Sequence, residues 1–316
     1  MTEPIALIGS GLIGRGWAIL FANAGCEVRL YDADPTAADR ARSAIRENLE
    51  ALQSEQLINS VAQIESRMRY CTSVSAAVEG VPYVQENVVE SQEVKGAVFR
   101  ELGELTGPEV ILASSCSSIP PELFMADVRH RERCLIAYPC SPPHLMPFVE
   151  IVPTRWTAPE VIASTRKRLT ALGQRPVMIH KPVVGFAINR LQAVVIDEAL
   201  SLVAEGVIDP ADVELCLSQG LGLRWAFMGP FETMDLNSAQ GFKEYVTKYS
   251  GAYHGMLDTI RPPRPWNAEA IERIEAWRRA EYSGEADITR RRLWRDRNLM
   301  KLARLFRGER LGGSSS

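Results

Sequence analysis

The first part of the chain alternates short apolar runs with longer stretches of helical period. Ile5–Ile8 is a four-residue apolar run, which predicts a buried strand. Glycines follow it directly, and an apolar helical stretch then extends over Leu12–Ala24. Glu27–Tyr31 alternates polar and apolar residues, which predicts a second strand ending at Asp32. The order strand, tight turn, helix, strand is that of a βαβ unit.

The same alternation continues after this unit. Asp34-Pro35 is typical of a helix start and opens an amphipathic helix that reaches about Gln56. Further strands are predicted at Tyr83–Gln85, Val110–Ala113, Cys134–Ala137, Phe148–Val152 and Val177–Ile179, with helices at Ser91–Leu105 and Pro159–Leu172. Strands that alternate with helices predict a mostly parallel sheet covered by helices, an α/β fold.

Strand patterns end after Lys181-Pro182, and helical periodicity dominates from there. The predicted helices are Val184–Ala204, Pro210–Ser218, Gly241–Tyr249, Ala268–Arg279 and Thr289–Phe306. We therefore expect a Rossmann-type doubly wound domain over residues 1–182 and a smaller all-α domain over residues 183–311. Residues 312–316 have the Gly/Ser composition of a flexible tail.

Charge and composition exclude several classes of function. The 36 Lys and Arg residues nearly balance the 39 Asp and Glu residues, so a net charge of −3 does not predict nucleic-acid binding. The six Cys residues include no CxxC pair, which argues against a zinc site or a disulfide framework. The first residues lack the basic and apolar regions of a signal peptide, and no stretch predicts a membrane span. We expect a cytoplasmic protein without a metal site.

The glycines after the first strand form a G-x-G-x-x-G motif. Gly9 permits a tight turn, Gly11 lets the backbone approach a pyrophosphate, and Gly14 allows close packing of helix on strand. The helix that follows presents free N–H groups at its start, around Leu12 and Ile13, where phosphates bind. The flanking strand and helix make this short motif specific for a dinucleotide.

Asp32 stands where a carboxylate can accept hydrogen bonds from the adenosine ribose hydroxyls. A carboxylate at this position repels a 2′-phosphate, and Ala33 follows it rather than an Arg. The sequence therefore predicts NAD as the cofactor in preference to NADP.

With this motif in place, the chain resembles the 3-hydroxyacyl-CoA dehydrogenase superfamily, in particular its λ-crystallin and L-gulonate 3-dehydrogenase branch. The resemblance covers nearly the whole chain. Its motifs are Ile8–Trp17, Glu90 with Lys95, Ser114–Ser118, Phe148–Pro153, Gly185–Leu191, Gly220–Pro230 and Arg291–Asp296. Gly220–Pro230 and Arg291–Asp296 resemble the λ-crystallin branch more than the acyl-CoA enzymes.

The resemblance implies an NAD-dependent oxidoreductase that acts at the β-carbon of a hydroxy acid, an oxo acid or an acyl-CoA, and that forms a homodimer. It also implies that Glu90, Lys95 and Ser115 line the cofactor site. These three residues complete the predicted NAD site, together with the glycine motif and Asp32.

The resemblance further implies three roles around the substrate. Ser117 would hydrogen-bond the substrate oxygen, Glu150 would orient the catalytic base, and Asn189 would lie near the substrate and the nicotinamide. A hydroxyl donor can polarise the reacting oxygen, and a buried carboxylate can fix a basic partner, so the residue types suit these roles.

The segment that carries the catalytic His in this family reads differently here. Tyr138 stands in place of the His, and Ser141 stands in place of an Asn. A phenol with a pKa of about 10 is only about 0.1% ionised at pH 7, which disfavours proton abstraction by about 4 kcal/mol. A nearby ionised Glu150 would oppose the phenolate further. A neutral Tyr can still donate a proton, so the sequence favours ketone reduction over alcohol oxidation.

Two other residues are candidates for the substrate site. His144 lies six residues after Tyr138 and is interpreted either as an alternative proton acceptor or as a solvent-facing loop residue. Arg224 follows a Gly-rich run and is interpreted either as a ligand for a substrate carboxylate or as half of an ion pair with Asp235.

Two functions remain open at this point. One is an NAD-dependent dehydrogenase or reductase with altered proton chemistry, favoured by Ser117, Glu150 and Asn189. The other is an NAD-binding protein without dehydrogenase activity, favoured by Tyr138 and Ser141.

Overall fold

The computed structural model of the chain describes residues 3–260, 266–281 and 285–308. The tail predicted at residues 312–316 lies outside the described residues. The chain divides into two compact units, one formed by Met1–Asn189 with Trp294–Gly308 and the other by Arg190–Leu293. The domain bounds expected from the sequence stay a prediction.

The first unit contains an eight-stranded sheet. Its strands are β1 Ile5–Ile8, β2 Val28–Tyr31, β3 Met68–Tyr70, β4 Tyr83–Glu86, β5 Ile111–Ser114, β6 Cys134–Pro139, β7 Phe148–Pro153 and β8 Arg175–Met178. They are ordered β3-β2-β1-β4-β5-β6-β7-β8, and every neighbouring pair is parallel except β6 and β7. This mostly parallel, helix-covered sheet confirms the predicted α/β fold. The strand order reverses between β1 and β4, which is where ligands bind to such sheets.

Helices connect the strands of this sheet. They are α1 Leu12–Asn23, α2 Ala37–Ser54, α3 Val61–Glu65, α4 Val74–Val78, α5 Gln92–Leu105, α6 Glu122–Met125 and α7 Pro159–Ala171. Successive residues of β1 point to opposite faces of the sheet, so Ile5 and Leu7 join one buried cluster whereas Ala6 and Ile8 join the other. Both faces of the sheet are thus covered by apolar side chains, and β1 is buried throughout.

Helices make up the remainder of the described chain. They are α8 Ile188–Ala204, α9 Pro210–Leu215, α10 Gly222–Trp225, α11 Pro230–Leu236, α12 Phe242–Leu257, α13 Ala268–Glu281 and α14 Glu285–Gly308, with a π-helical stretch at Cys216–Leu221. The predicted all-helical character of this part is confirmed. Within the described ranges, no helix combines the length and the apolar composition that crossing a membrane requires.

The pairing of β6 with β7 sets the geometry of the candidate site. Because the two strands are antiparallel, Tyr138 and Glu150 stand directly opposite each other. Directly opposed residues of such a pair project their side chains to the same face of the sheet. The two residues singled out for proton transfer are therefore cross-strand neighbours.

Candidate functional site

The glycine motif forms a tight turn at the carboxyl end of β1. Gly9 has a φ of +96°, a conformation that L side chains rarely adopt. A Cβ on Gly14 would lie 2.0 Å from the carbonyl oxygen of Gly9, so helix α1 packs directly on the turn. A Cβ on Gly11 would meet nothing within 4 Å, which leaves open space beside this part of the backbone. The open space at Gly11 is what a pyrophosphate requires.

Helix α1 begins at this turn without a side-chain cap. Its N-cap residue is Gly11, which offers no hydrogen-bond acceptor to the first N–H groups. The amides of Leu12 and Ile13 therefore lie at an uncapped helix start, where the helix dipole favours an anion.

Asp32 follows β2 and contacts the glycine turn. Its Oδ2 accepts hydrogen bonds from the backbone N of Ser10 at 2.7 Å and from the Ser10 hydroxyl at 2.8 Å. Its Oδ1 accepts a bond from the Asp34 backbone N at 3.0 Å. The carboxylate is fixed beside the turn. Oδ2 already accepts two hydrogen bonds, whereas Oδ1 accepts one and keeps an acceptor position for a ribose hydroxyl. These residues fit NAD, with Asp32 at the ribose and the open backbone at the phosphates.

A buried ion pair lies next to this turn. Lys95 Nζ donates to both carboxylate oxygens of Glu86, at 3.0 and 3.2 Å, and the two side chains are 1% and 0% exposed. Burial raises the pKa of Glu86, and the charge of Lys95 opposes this increase. Lys95 Nζ also lies 3.6 Å from Glu90 Oε2. Lys95 is thus buried. Besides Glu86, its ammonium group contacts the Glu90 carboxylate and donates a hydrogen bond to the Val88 carbonyl.

Glu90 is the centre of a serine cluster. Its Oε1 accepts hydrogen bonds from the backbone N of Ser117 at 2.8 Å and the Ser117 hydroxyl at 3.0 Å. The N and hydroxyl of Ser118 donate to the same oxygen at 3.0 and 3.2 Å. Burial would raise the pKa of Glu90, but hydrogen bonds from Ser117 and from the Cys116 thiol, with the charge of Lys95, bring the pKa below its ordinary value. Glu90 is therefore an anion that holds Ser117 in place.

Ser115 lies deeper in the site. Its hydroxyl accepts hydrogen bonds from Trp17 Nε1 at 3.0 Å and from Gln85 Nε2 at 2.8 Å, and it donates to Asn87 Oδ1 at 2.8 Å. Three protein partners occupy this hydroxyl, so the side chain ties β5 to α1 and β4.

Tyr138, Asn189 and Ser117 are joined by hydrogen bonds. The Tyr138 hydroxyl donates to Asn189 Oδ1 at 3.3 Å, and Asn189 Nδ2 donates to the Ser117 carbonyl at 2.8 Å. Burial raises the pKa of Tyr138 above its ordinary value, and the bond to Asn189 only partly opposes this. Tyr138 is accordingly a neutral hydroxyl at physiological pH. Asn189 thus links it to Ser117, the residue that the resemblance assigns to the substrate oxygen.

Glu150 is buried behind Tyr138. Its Oε1 accepts hydrogen bonds from the backbone N of Ala187 at 2.9 Å and of Ile188 at 3.0 Å. Its Oε2 is buried and has no hydrogen-bond partner among the described residues. Burial raises the pKa of this carboxyl, while the two N–H groups lower it.

His144 lies in the loop after β6. Both of its ring nitrogens are buried and lack a hydrogen-bond partner within the described ranges. Burial lowers its pKa to about 4. The interpretation of His144 as a solvent-facing residue is therefore wrong, because the loop packs its ring inward. A neutral imidazole with so low a pKa is also a weak base at physiological pH.

The remaining candidates are not part of this cluster. Ser141 is exposed in the same loop as His144. Arg224 is an exposed residue of the second unit, in the short helix α10. Asp235, its suggested ion-pair partner, accepts a hydrogen bond from the Phe242 backbone N at 2.7 Å, at the start of α12. No ion pair between Arg224 and Asp235 occurs in the described part of the chain.

Sequence reasoning missed several residues of the site. Glu86 ends β4 and Asn87 follows it beside the glycine turn, where a Cβ on Gly9 would lie 2.7 Å from the Asn87 carbonyl oxygen. A polar Gln85-Glu86-Asn87 run at the end of a buried strand was the available signal. Gly16 of α1 was also missed. A Cβ there would lie 2.5 Å from Cδ of Pro143, so a glycine is needed where α1 contacts the loop after β6. No group of side chains suited to a metal ion occurs in the described ranges.

Comparison with known proteins identifies relatives along nearly the whole chain. Residues 4–182 match the NAD-binding domain of 3-hydroxyacyl-CoA dehydrogenase, and residues 185–272 match its C-terminal domain. The λ-crystallin homolog of Bos taurus is 39% identical over 305 residues, which are 95% of each chain. The L-carnitine dehydrogenase of a Pseudomonas species is 31% identical over 298 residues, 94% of this chain and 92% of that protein.

A solved structure extends this similarity to the fold. The crystal structure of 5-formyl-3-hydroxy-2-methylpyridine 4-carboxylic acid 5-dehydrogenase, an NAD⁺-dependent dismutase, superposes with a TM-score of 0.85 at 28% identity. The superposition covers 98% of this chain and 100% of that one. The predicted helical second part and Rossmann-type first part are therefore confirmed.

Proposed function

The chain belongs to the 3-hydroxyacyl-CoA dehydrogenase family, and we propose that it is an NAD(H)-dependent oxidoreductase that reduces a 3-oxo acid or its CoA ester with Tyr138 as the proton donor. The observation that carries the proposal is the hydrogen-bonded set of Tyr138, Asn189 and Ser117, next to a loop suited to NAD. When bound, NADH would supply the hydride.

The protein side of this reaction is proton transfer to a carbonyl oxygen. The Ser117 and Tyr138 hydroxyls donate to Glu90 and to Asn189 in this structure, and each would turn its single hydrogen to the carbonyl oxygen when the substrate binds. Two such donors polarise a carbonyl and stabilise the developing oxyanion. Since its pKa is raised by burial, Tyr138 remains protonated and able to donate across the physiological range. Asn189 aligns the two by bonding the Tyr138 hydroxyl and the Ser117 carbonyl. Alcohol oxidation is disfavoured because no neutral phenol accepts a proton.

Lys95 and Glu86 have a supporting role in this proposal. Lys95 of this buried pair lies 3.6 Å from Glu90, and Glu90 accepts two hydrogen bonds from Ser117 and two from Ser118. The residue proposed to bind the substrate oxygen is thereby fixed before the substrate arrives, which is the arrangement that catalysis favours.

The experiment is to follow NADH consumption with 3-oxo acids and their CoA esters, in the unaltered protein and in Tyr138→Phe. We expect turnover that falls by about 10²-fold in Tyr138→Phe, the scale of general acid catalysis, without a change in NADH affinity. Tyr70→Phe, a hydroxyl removed from the distant strand β3, is the matched control and should keep full turnover. Equal turnover in Tyr138→Phe would contradict the assignment of the proton donor.

A second candidate function is NAD binding without turnover. Two observations favour it, namely the raised pKa of Tyr138 and the unpartnered Oε2 of Glu150 on the same face of the sheet. NADH binding together with no reaction of any substrate, in either direction, would decide for this alternative.

We also propose a homodimer built by the second unit. Its helices leave large apolar side chains in solvent, including Leu191, Val194 and Phe231 at 71%, 71% and 72% exposure. Isolated chains rarely leave so many apolar positions uncovered, and a second copy of the chain would cover them. Light scattering at micromolar concentration tests this, and a monomer would contradict it. A cytoplasmic location remains part of the proposal.

A further inference from the structure

We propose that Glu150 is a positioning residue that acts through the start of helix α8, and that its carboxylate does not act on the proton-transfer group itself. This inference rests on the proposed function and specifies how its site is held together. It assigns to Glu150 the task of placing Asn189, and through Asn189 the Tyr138 hydroxyl.

The first step is the direction in which the carboxylate bonds. Glu150 stands directly opposite Tyr138 across β6 and β7, yet the Tyr138 hydroxyl donates to Asn189 instead. Both hydrogen bonds of Glu150 run to backbone N–H groups, those of Ala187 and Ile188. One oxygen of the carboxyl group therefore bonds the backbone at the start of α8, while its other oxygen has no partner in the described chain.

The backbone segment that Glu150 holds has a strained conformation. Gly185 and Phe186 precede these N–H groups and have φ values of +75° and +47°. Phe186 is not a glycine, so its left-handed conformation is strained and persists only where the surroundings enforce it. Successive N–H groups after such a turn form a concave site for an anion. The Glu150 carboxyl group occupies that site through Oε1.

The third step is what the turn carries. The ring of Phe186 is 1% exposed and packs against Tyr138, with the ring centroids 6.2 Å apart. Asn189 follows Ile188 directly and bonds both Tyr138 and the Ser117 carbonyl. A loosened turn would therefore move the Phe186 ring and the Asn189 amide together. Misplacement of about 1 Å in such a constellation lowers turnover by about 10²-fold.

The test compares Glu150→Ala with Glu150→Gln. A Gln amide oxygen can accept both backbone bonds but carries no charge, whereas Ala removes the acceptor. We expect Glu150→Ala to lower kcat by about 10²-fold with little change in NADH affinity, and Glu150→Gln to rescue most of that loss with an unchanged pH profile. Glu79→Gln, on the exposed end of α4, controls for the loss of a carboxylate. Equal losses in kcat for both substitutions, in folded protein, would overturn the proposal.

Hydrogen exchange supplies a readout that does not depend on turnover. The amides of Ala187 and Ile188 should be protected in the unaltered protein and in Glu150→Gln, and should exchange faster in Glu150→Ala. If no substrate reacts, the proposed function fails, while the exchange data still test this inference. Unchanged protection of the two amides in Glu150→Ala would contradict it.

Discussion

Replacing Tyr138 by His tests the proton chemistry from the opposite direction. At pH 7 a phenol with an ordinary pKa of about 10 is about 0.1% ionised, and the burial of Tyr138 lowers this fraction further. An imidazole with a pKa of about 6.5 is mostly in its basic form at the same pH. Glu150 stands directly opposite with one buried, unpartnered oxygen that could accept the ring N–H. Tyr138→His would therefore create a base with an acceptor already in place.

We expect NAD-dependent oxidation of a 3-hydroxy acid at neutral pH to rise by about 10²–10⁴-fold in Tyr138→His, the scale of general base catalysis. The assay is NAD reduction across 3-hydroxy acids and their CoA esters. Adding Glu150→Gln to Tyr138→His should remove much of the gain in oxidation rate, because the amide cannot stabilise an imidazolium as a carboxylate does.

The rate of reduction by the unaltered protein should stay constant between about pH 6 and 9, since Tyr138 remains protonated there.

Unchanged rates of oxidation and reduction in Tyr138→His, with NAD binding intact, would contradict the proposed role of Tyr138. The segment that ends β6 would then not be the catalytic centre. Ser141→Asn alone should do little, because the exposed Ser141 supplies no proton acceptor.

Three further predictions concern the cofactor loop and its surroundings. Asp32→Ala should reduce the ratio of NADH affinity to NADPH affinity by about tenfold, because it removes the charged acceptor for the ribose hydroxyls. Equal affinities of the unaltered protein for NADH and NADPH would contradict this. Gly14→Ala should weaken NADH binding and destabilise the fold by about 1–3 kcal/mol, because its Cβ would lie 2.0 Å from the Gly9 carbonyl; a normal melting temperature and NADH affinity would be inconsistent with the packing. His144 has a folded pKa of about 4 against 6.5, so its contribution to stability is complete above pH 6.5 and is lost as pH falls toward 4, by about 3 kcal/mol at most. His144→Leu should therefore flatten the decrease in melting temperature over this range, and an unchanged decrease would show that the ring titrates normally.

The NAD-binding half is the part of the fold that could be predicted best from the sequence. Glycines between a strand and a helix, followed by Asp32, predict a tight turn with the Asp32 carboxylate beside it, and this turn is present in the structure. Strand β3 was missed because Met68–Tyr70 is only three residues long and too short for a period to be visible. The antiparallel pairing of β6 and β7 was not predicted either, because strand direction depends on tertiary packing and not on local pattern.

The site itself was predicted by residue type more than by geometry. The resemblance named Ser117, Glu150 and Asn189, but no sequence pattern indicates that Glu150 would bond the backbone before α8. The inward packing of His144 depends on a loop conformation that sequence does not specify. Glu86 was not predicted as a site residue. The burial of its carboxylate follows from the ion pair with Lys95, and the sequence does not show that the two side chains meet.

We propose that this chain reduces a 3-oxo acid or its CoA ester with NADH and a proton from Tyr138. The most direct measurement is NADH consumption by the purified full chain over a panel of such compounds, with NADH binding verified in parallel. We expect turnover of at least one class of compound, and a loss of about 10²-fold in Tyr138→Phe. Tight NADH binding without turnover of any compound, in either direction, would contradict it.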